Sequence, residues 1–216
     1  MDLTTIVGLI AGLVVIVLVM IMDGGSPLEL FAHPSAIFLI FGGSLAATTI
    51  TTSLDTVKSL PKFIMIAMRS QHYDVESAIE MLVQMADKAR RQGLLALEED
   101  GKKVTDSFMR KGIMMVVDGA EPAQVRAILE TNIEQMRERH HKGYGFFTAA
   151  GGFAPTFGII GTVMGLISVL KALDNPNLLA KSIAAAFLAT LWGLLTSNMI
   201  YLPLGAKLKA KSDEEA

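Results

Sequence analysis

Apolar residues gather in four long runs, 3–22, 35–53, 146–170 and 182–204, and the polar residues fall mainly between and beyond them. A bilayer core of ~30 Å needs roughly 20 apolar residues in a helix rising about 1.5 Å per residue, so each run predicts a membrane-spanning helix. The second run is opened by Pro34 and carries Gly42, Gly43, Ser44, Ala46 and Ala47. It ends in Thr48, Thr49, Thr51 and Thr52, whose hydroxyls can bond back to helix carbonyls. The intervening segment has a different period. From 74 to 91, Val75, Ala78, Ile79, Leu82, Met85, Ala86 and Ala89 recur at three and four residues, while Glu76, Glu80, Asp87, Lys88 and Arg91 lie mostly elsewhere. Gly93 is a helix stop, a second helix is predicted over 105–117 before Asp118-Gly119, and a third begins at Pro122 with Val125, Leu129, Ile133 and Met136 on one stripe. This last period continues towards His140, and either breaks at Gly143 and Gly145 or runs on into the third apolar run. The predicted fold class is an all-α integral membrane protein with four transmembrane helices and a helical cytoplasmic domain between the second and third. Its expected parts are 1–53 (first two spans and a short outside loop), 54–145 (cytoplasmic helical domain), 146–204 (last two spans, lining a pore) and 205–216 (cytoplasmic tail).

Composition supports a membrane protein, with 51% hydrophobic residues and a mean hydropathy of +0.47. The first run is expected to be a retained helix and not a cleaved signal peptide, since Met1-Asp2-Leu3 lacks a basic n-region and Asp23-Gly24-Gly25 follows it. Basic residues mark cytoplasmic loops. Fourteen of the nineteen Lys and Arg lie between Lys58 and Lys142, and Lys207, Lys209 and Lys211 follow the last run. Both termini are therefore predicted inside, with 23–33 and 171–181 as short outside loops. A net charge of −2 says nothing about partners, and no nucleic-acid partner is expected. The absence of cysteine excludes disulfides, thiol catalysis and cysteine-ligated metals.

No acidic residue occurs between Gly145 and Lys171 or between Ser182 and Pro203, so a cation crossing here would need a carboxylate from another chain. In the third run Pro155, Gly158, Gly161, Thr162, Gly165 and Ser168 interrupt the apolar sequence, and Gly161 to Gly165 is a small-xxx-small step that admits a close neighbour. Ala186, Ala189 or Thr190, Gly193 and Ser197 make a similar stripe in the fourth. Thr162 and Thr190 could face a common lumen, where a hydroxyl holds water or a small cation weakly but cannot itself be the titrating carrier. From spacing alone the stripes read first as ordinary membrane-helix contacts, and Pro155 and Pro203 as kinks or helix boundaries.

The stretch Ala154-Pro155-Thr156-Phe157-Gly158-Ile159-Ile160-Gly161-Thr162-Val163-Met164-Gly165-Leu166, followed by Ala185-Ala186-Phe187-Leu188-Ala189-Thr190-Leu191-Trp192-Gly193, resembles the paired pore helices of the bacterial MotA/TolQ/ExbB channel family. Ala89-Arg90-Arg91-Gln92-Gly93-Leu94-Leu95-Ala96-Leu97-Glu98 and Pro203-Leu204 resemble its flagellar stator branch, the MotA/PomA type. The resemblance covers Met1 to about Lys211, and two spans before the cytoplasmic domain separate it from TolQ and ExbB types. It implies a stator in the bacterial inner membrane, in which five A subunits surround the helices of two B subunits whose aspartate binds the ion. It further implies Thr162 and Thr190 as the pore-lining pair, Pro155 and Pro203 as coupling positions, and Arg90 and Glu98 as the charges that meet the rotor protein FliG. Gly161, Gly165 and Gly193 are expected in helix packing. Sodium-driven members share Thr162 but usually add a second threonine where Ala189 stands, whereas many proton-driven flagellar members have alanine where Thr162 stands. The signature is mixed, and the transported ion is expected to be H+ ahead of Na+. The resemblance also implies another cytoplasmic helical segment after the position of Ala216, which bears on rotor docking more than on ion passage.

Two other classes are weaker. A TolQ- or ExbB-like energiser of envelope transport would move the same ion, but the two-span start and the 90–98 stretch argue against it. Enzyme activity, a cofactor or a bound metal is not expected, because the spans hold no His, Asp, Glu or Lys arrangement for acid, base or metal chemistry, and His140 and His141 point about 100° apart on a helix. A purely structural scaffold is the remaining reading.

Overall fold

The computed structural model describes residues 3–69 and 74–216. Ten α-helices, with no strand among the described residues, follow in order: α1 Leu3–Met22, α2 Pro34–Ile50, α3 Leu54–Lys58, α4 Leu60–Met68, α5 Val75–Gln92, α6 Glu98–Lys103, α7 Ser107–Val117, α8 Pro122–Lys171, α9 Pro176–Leu195 and α10 Leu202–Glu215. Short 3-10 turns lie at Pro27–Phe31 and Leu94–Leu97, and a π-helical segment, Thr196–Tyr201, joins α9 to α10 without a break. The described residues of 1–70 with 140–214 form one compact unit, and those of 71–139 with 215–216 form another.

Among the described residues, three helices are long and apolar enough to cross a membrane: α1, α8 and the continuous run Pro176–Glu215. The fourth expected span is α2, a shorter apolar helix of 17 residues. Towards its end at Ile50 the threonines turn their hydroxyls onto the backbone, Thr48 to Ser44 O at 2.7 Å, Thr49 to Leu45 O at 2.7 Å and Thr52 to Thr48 O at 3.0 Å. Ala36, Ile40, Ser44 and Thr48, four residues apart, are its buried edge. Together with Phe146, Phe147, Ala150, Ala154 and Tyr201, Ile40 forms the core, and Phe41 and Trp192 pack against it. α1 is apolar all round and leaves Val7, Leu13, Val15 and Val19 exposed, as a lipid-facing helix does. Lys211, expected only to mark a cytoplasmic tail, is buried, and its Nζ donates to Ile66 O at 2.5 Å and to Arg69 O, satisfying carbonyls at the end of α4.

The alternative left open at Gly143 and Gly145 is decided for continuity, since α8 runs through both. The expected outside loop 171–181 is shorter than predicted. Asn175 accepts from Leu178 N at 3.2 Å and Pro176 takes the first helical position, so α9 begins five residues before Lys181.

In the second unit, Asp74 accepts from Ser77 N at 3.1 Å to start α5, and Gly93, at φ +87°, ends it. α7 starts two residues later than the sequence suggests because Asp106 accepts from Met109 N at 2.7 Å. The short α6 between them was not legible in the pattern. Met85, Leu97, Val104, Ile113 and Val117 make the core, with Met81 and Ala89 against it. The packed stretch of α5 therefore lies in its second half, and Val75, Ile79 and Leu82 of the predicted apolar stripe are exposed.

Candidate functional site

Thr162 and Thr190, two of the three expected ion-pathway residues, meet at the seam between α8 and α9 because glycine lets the backbones touch. A Cβ on Gly161 would stand 2.5 Å from Ala189 Cβ, one on Gly165 2.6 Å from Ala186 Cβ, and one on Gly193 2.8 Å from Ala154 O. No real Cβ sits so close to its neighbours, so only glycine permits this approach at the three positions. Gly158 lies in the same seam, with Thr190 Cα 3.2 Å from its missing Cβ.

That approach brings Thr162 and Thr190 together. Thr162 Oγ1 hydrogen-bonds Thr190 Oγ1 and stands 3.1 Å from Gly158 O on its own helix and 3.1 Å from Ala186 O across the seam. Each hydroxyl has one proton and two lone pairs, so two protons serve two hydroxyls and two carbonyls. The half-buried cluster keeps acceptor capacity in reserve, which suits a water or a small cation with hard oxygen preferences. It contains no group that titrates near neutral pH.

Ala189, the third expected member, is buried with its methyl against Gly161 and has no side-chain polar group to offer Thr162. Pro155 lies inside α8, half-buried, and Pro203 is the second residue of α10, exposed and directly after the π segment. Each proline withdraws one N–H from its helix. The π segment is closed by Leu202 N donating to Ser197 O, five residues back, so the ladder changes register immediately before Pro203.

Arg90 and Glu98 belong to the second unit. Arg90 is exposed in the last turn of α5, and Glu98 opens α6 and pairs with Lys102 Nζ at 2.6 Å. The Lys102 hydrogen bond, reinforced by its charge, holds the Glu98 carboxyl below its ordinary value of 4.5. A carboxyl depressed in this way contributes stability above its unfolded pKa and loses it as pH falls through the folded one. Lys102→Ala is expected to raise the Glu98 midpoint towards 4.5, followed by carbon NMR of labelled glutamate carboxyls. An unmoved midpoint would mean that the pair does not persist in solution. His140 Nδ1 lies 3.0 Å from Ser212 Oγ, and the His141 ring packs edge-on at 5.0 Å against Tyr144, so the two histidines face different neighbours. No group of three or more His, Cys, Asp or Glu capable of holding a metal occurs among the described residues.

Two polar contacts on α9 and the π segment have no motif that predicts them. Trp192 Nε1 donates to Leu30 O at 2.8 Å and its ring meets Phe31 at 5.8 Å, which ties the 3-10 turn to α9. Ser197 Oγ donates to Gly151 O at 2.7 Å, between residues 46 positions apart. Only the second has a trace in the sequence, since a proline at 155 implies an open carbonyl at 151.

A membrane-embedded helical wall with a hydroxyl cluster at its seam defines a channel-type membrane subunit. The chain belongs to the MotA/TolQ/ExbB proton channel family, which residues 100–216 match, while residues 6–93 match the motility protein A N-terminal family. It is 39% identical to motility protein A of Helicobacter pylori, over 99% of this chain and 83% of that one. It is 37% identical to chemotaxis protein PomA of Vibrio alginolyticus, over 100% of this chain and 83% of that one. The structure of the flagellar MotAB stator complex from Bacillus subtilis is similar with a TM-score of 0.91 at 36% identity, covering 99% of this chain and 84% of that one.

Proposed function

We infer that this chain is the A-type stator subunit of a bacterial flagellar motor, forming with a B subunit an ion channel that converts ion flow into torque on the rotor. The observation that carries this reading is the full-length likeness to a flagellar MotAB stator complex at a TM-score of 0.91. The TolQ- or ExbB-like alternative is disfavoured, since the match to a motility protein A N-terminal family extends over residues 6–93.

Finer features follow from this reading. Four helices span the inner membrane with both termini in the cytoplasm, supported by the clustering of basic residues between Lys58 and Lys142 and after Lys207. The 17 residues of α2 rise about 25 Å, short of the ~30 Å core, a mismatch that local thinning accommodates. Five copies surround a B dimer, and the B chain supplies the aspartate that α8 and α9 lack. A charge at mid-bilayer is unfavourable by ~2.5–3.5 kcal/mol on the insertion scale, which is consistent with an A chain that leaves the carboxylate to its partner. The ion is read as the proton ahead of sodium, and either one, as a single elementary charge falling through 100 mV, releases ~2.3 kcal/mol. The Thr162–Thr190 hydroxyls order water beside that aspartate, Pro155 and Pro203 transmit its neutralisation along the helices, and Arg90 and Glu98 meet complementary charges on FliG. No catalytic step, cofactor or resident metal enters the mechanism.

The test is to supply this chain with its B partner as the only stator in tethered cells and to vary sodium at fixed proton-motive force. Rotation that ignores sodium and stops with a protonophore is expected. Rotation that follows sodium would place Na+ at the Thr162 cluster, and no rotation at normal protein levels would defeat the stator reading.

A further inference from the structure

We propose that Ser197 is a positioning residue for torque generation, its hydroxyl latching the carbonyl that Pro155 leaves open and so holding the two channel helices together at the proline. The proposal rests on the stator reading for its consequence in torque, but the latch itself stands on geometry.

In an α-helix the N–H of residue 155 would bond the carbonyl of residue 151, and proline has no N–H. The Gly151 carbonyl is thus without its intrahelical donor, at a buried residue where an unsatisfied backbone group is strongly unfavourable. Ser197 Oγ takes that place at 2.7 Å, with Ser197 only 2% exposed. The donor comes from the π segment Thr196–Tyr201, where the wider turn changes which side chains face α8. The neighbouring hydroxyl does not contribute to the latch, since Thr196 Oγ1 is buried and makes no hydrogen bond. A Cβ at 151 would stand 2.6 Å from Leu202 Cδ2 and 2.8 Å from its Cγ, so a larger residue there would turn the exposed Leu202 side chain aside.

The two sides of the proline are therefore held differently. Beyond it, towards Thr162 about two turns away, α8 and α9 are joined by glycine contacts that leave no room to move. At the proline itself the join includes one hydrogen bond, which can open and close without separating the apolar contacts. A closed bond keeps α8 aligned with the π segment; an open one leaves the Gly151 carbonyl without a donor and frees the helix to bend at Pro155. The bond is a two-state element of the kind that ion binding can bias.

The experiment uses the full chain with its B partner and the variants Ser197→Ala, Ser197→Cys and Ser197→Thr, each with and without Pro155→Ala. Restoring an N–H at 155 gives the Gly151 carbonyl an intrahelical donor, which makes Ser197 redundant. On the natural background Ser197→Ala is expected to lower the melting temperature of the purified complex by ~3 °C or more. Stall torque per stator should fall below the natural value as the closed arrangement loses about tenfold in its equilibrium, the scale of one buried hydrogen bond. Threonine, which keeps the hydroxyl, should restore both, with cysteine in between. On the Pro155→Ala background, Ser197→Ala should not lower the melting temperature further. The same loss on both backgrounds, or natural torque in Ser197→Ala, would overturn the latch. Should the unmodified chain with its B partner fail to drive rotation, the stator reading falls, while the melting cycle still decides whether Ser197 serves the carbonyl at Pro155.

Discussion

Thr190→Val stops the motor or slows it severely while leaving the subunit in the membrane at its normal level. Valine preserves the branched shape of threonine and removes the hydroxyl that meets Thr162 Oγ1. Thr162 then keeps only the carbonyls of Gly158 and Ala186, both acceptors, and the cluster loses one of its two protons and one of its two hydroxyl oxygens. A buried hydrogen-bonding group left short of its partner is unfavourable by ~1–3 kcal/mol, roughly 5- to 150-fold in an equilibrium that depends on it. The measurement is rotation speed of tethered cells at fixed proton-motive force, with Thr190→Ser beside it to retain the hydroxyl. Valine and serine variants that swim alike would remove the hydroxyl cluster from the ion pathway and leave Thr190 as a packing residue.

Gly193→Ala abolishes assembly, although it adds a single methyl group. The new carbon would stand 2.8 Å from Ala154 O and 3.0 Å from Gly158 Cα, and both obstacles are backbone, so α8 and α9 must part. Overpacking of this kind destabilises by ~1–3 kcal/mol or more. The seam that presents Thr162 to Thr190 opens with it. Gly152→Ala is the control, since nothing lies within 4 Å of its missing Cβ and alanine favours the helix by about 1 kcal/mol. Blue-native electrophoresis of the complex with its B partner separates the two outcomes. Equal recovery of both variants would show that α8 and α9 are not packed as closely in the membrane as in this structure.

Aromatic rings brace the channel wall from the side of α2. Trp192 and Phe41 connect α2 and the turn after α1 to the π segment, through Leu30 O, Phe31 and Tyr201. Ser44 on α2 adds a hydroxyl contact to Tyr201 at 3.3 Å. The shorter helix is thus held against the wall by aromatic contacts and polar handles.

Helix content was legible because it depends on neighbours in sequence. The apolar runs of α1, α8 and α9 and the stop at Gly93 are local features, and a local sum of side-chain preferences finds them, whereas the Asn175 cap that starts α9 ahead of Lys181 was not read from the sequence. The lack of an acid between Gly145 and Lys171 and between Ser182 and Pro203 is equally local, and with it the need for a carboxylate from another chain. The glycine steps at 161, 165 and 193 announced a close approach without naming what approached. Which side chains meet was decided by how α8 and α9 lie against each other: Thr162 against Thr190, Ala189 turned to Gly161, and Ser197 on the carbonyl released by a proline 42 residues before it. A hydrogen bond requires its partners within about 3 Å and a suitable angle. Residues this far apart in the chain reach that distance only when the helices are packed, so the hydropathy of this protein was written along its sequence and its polar contacts were set by its tertiary structure.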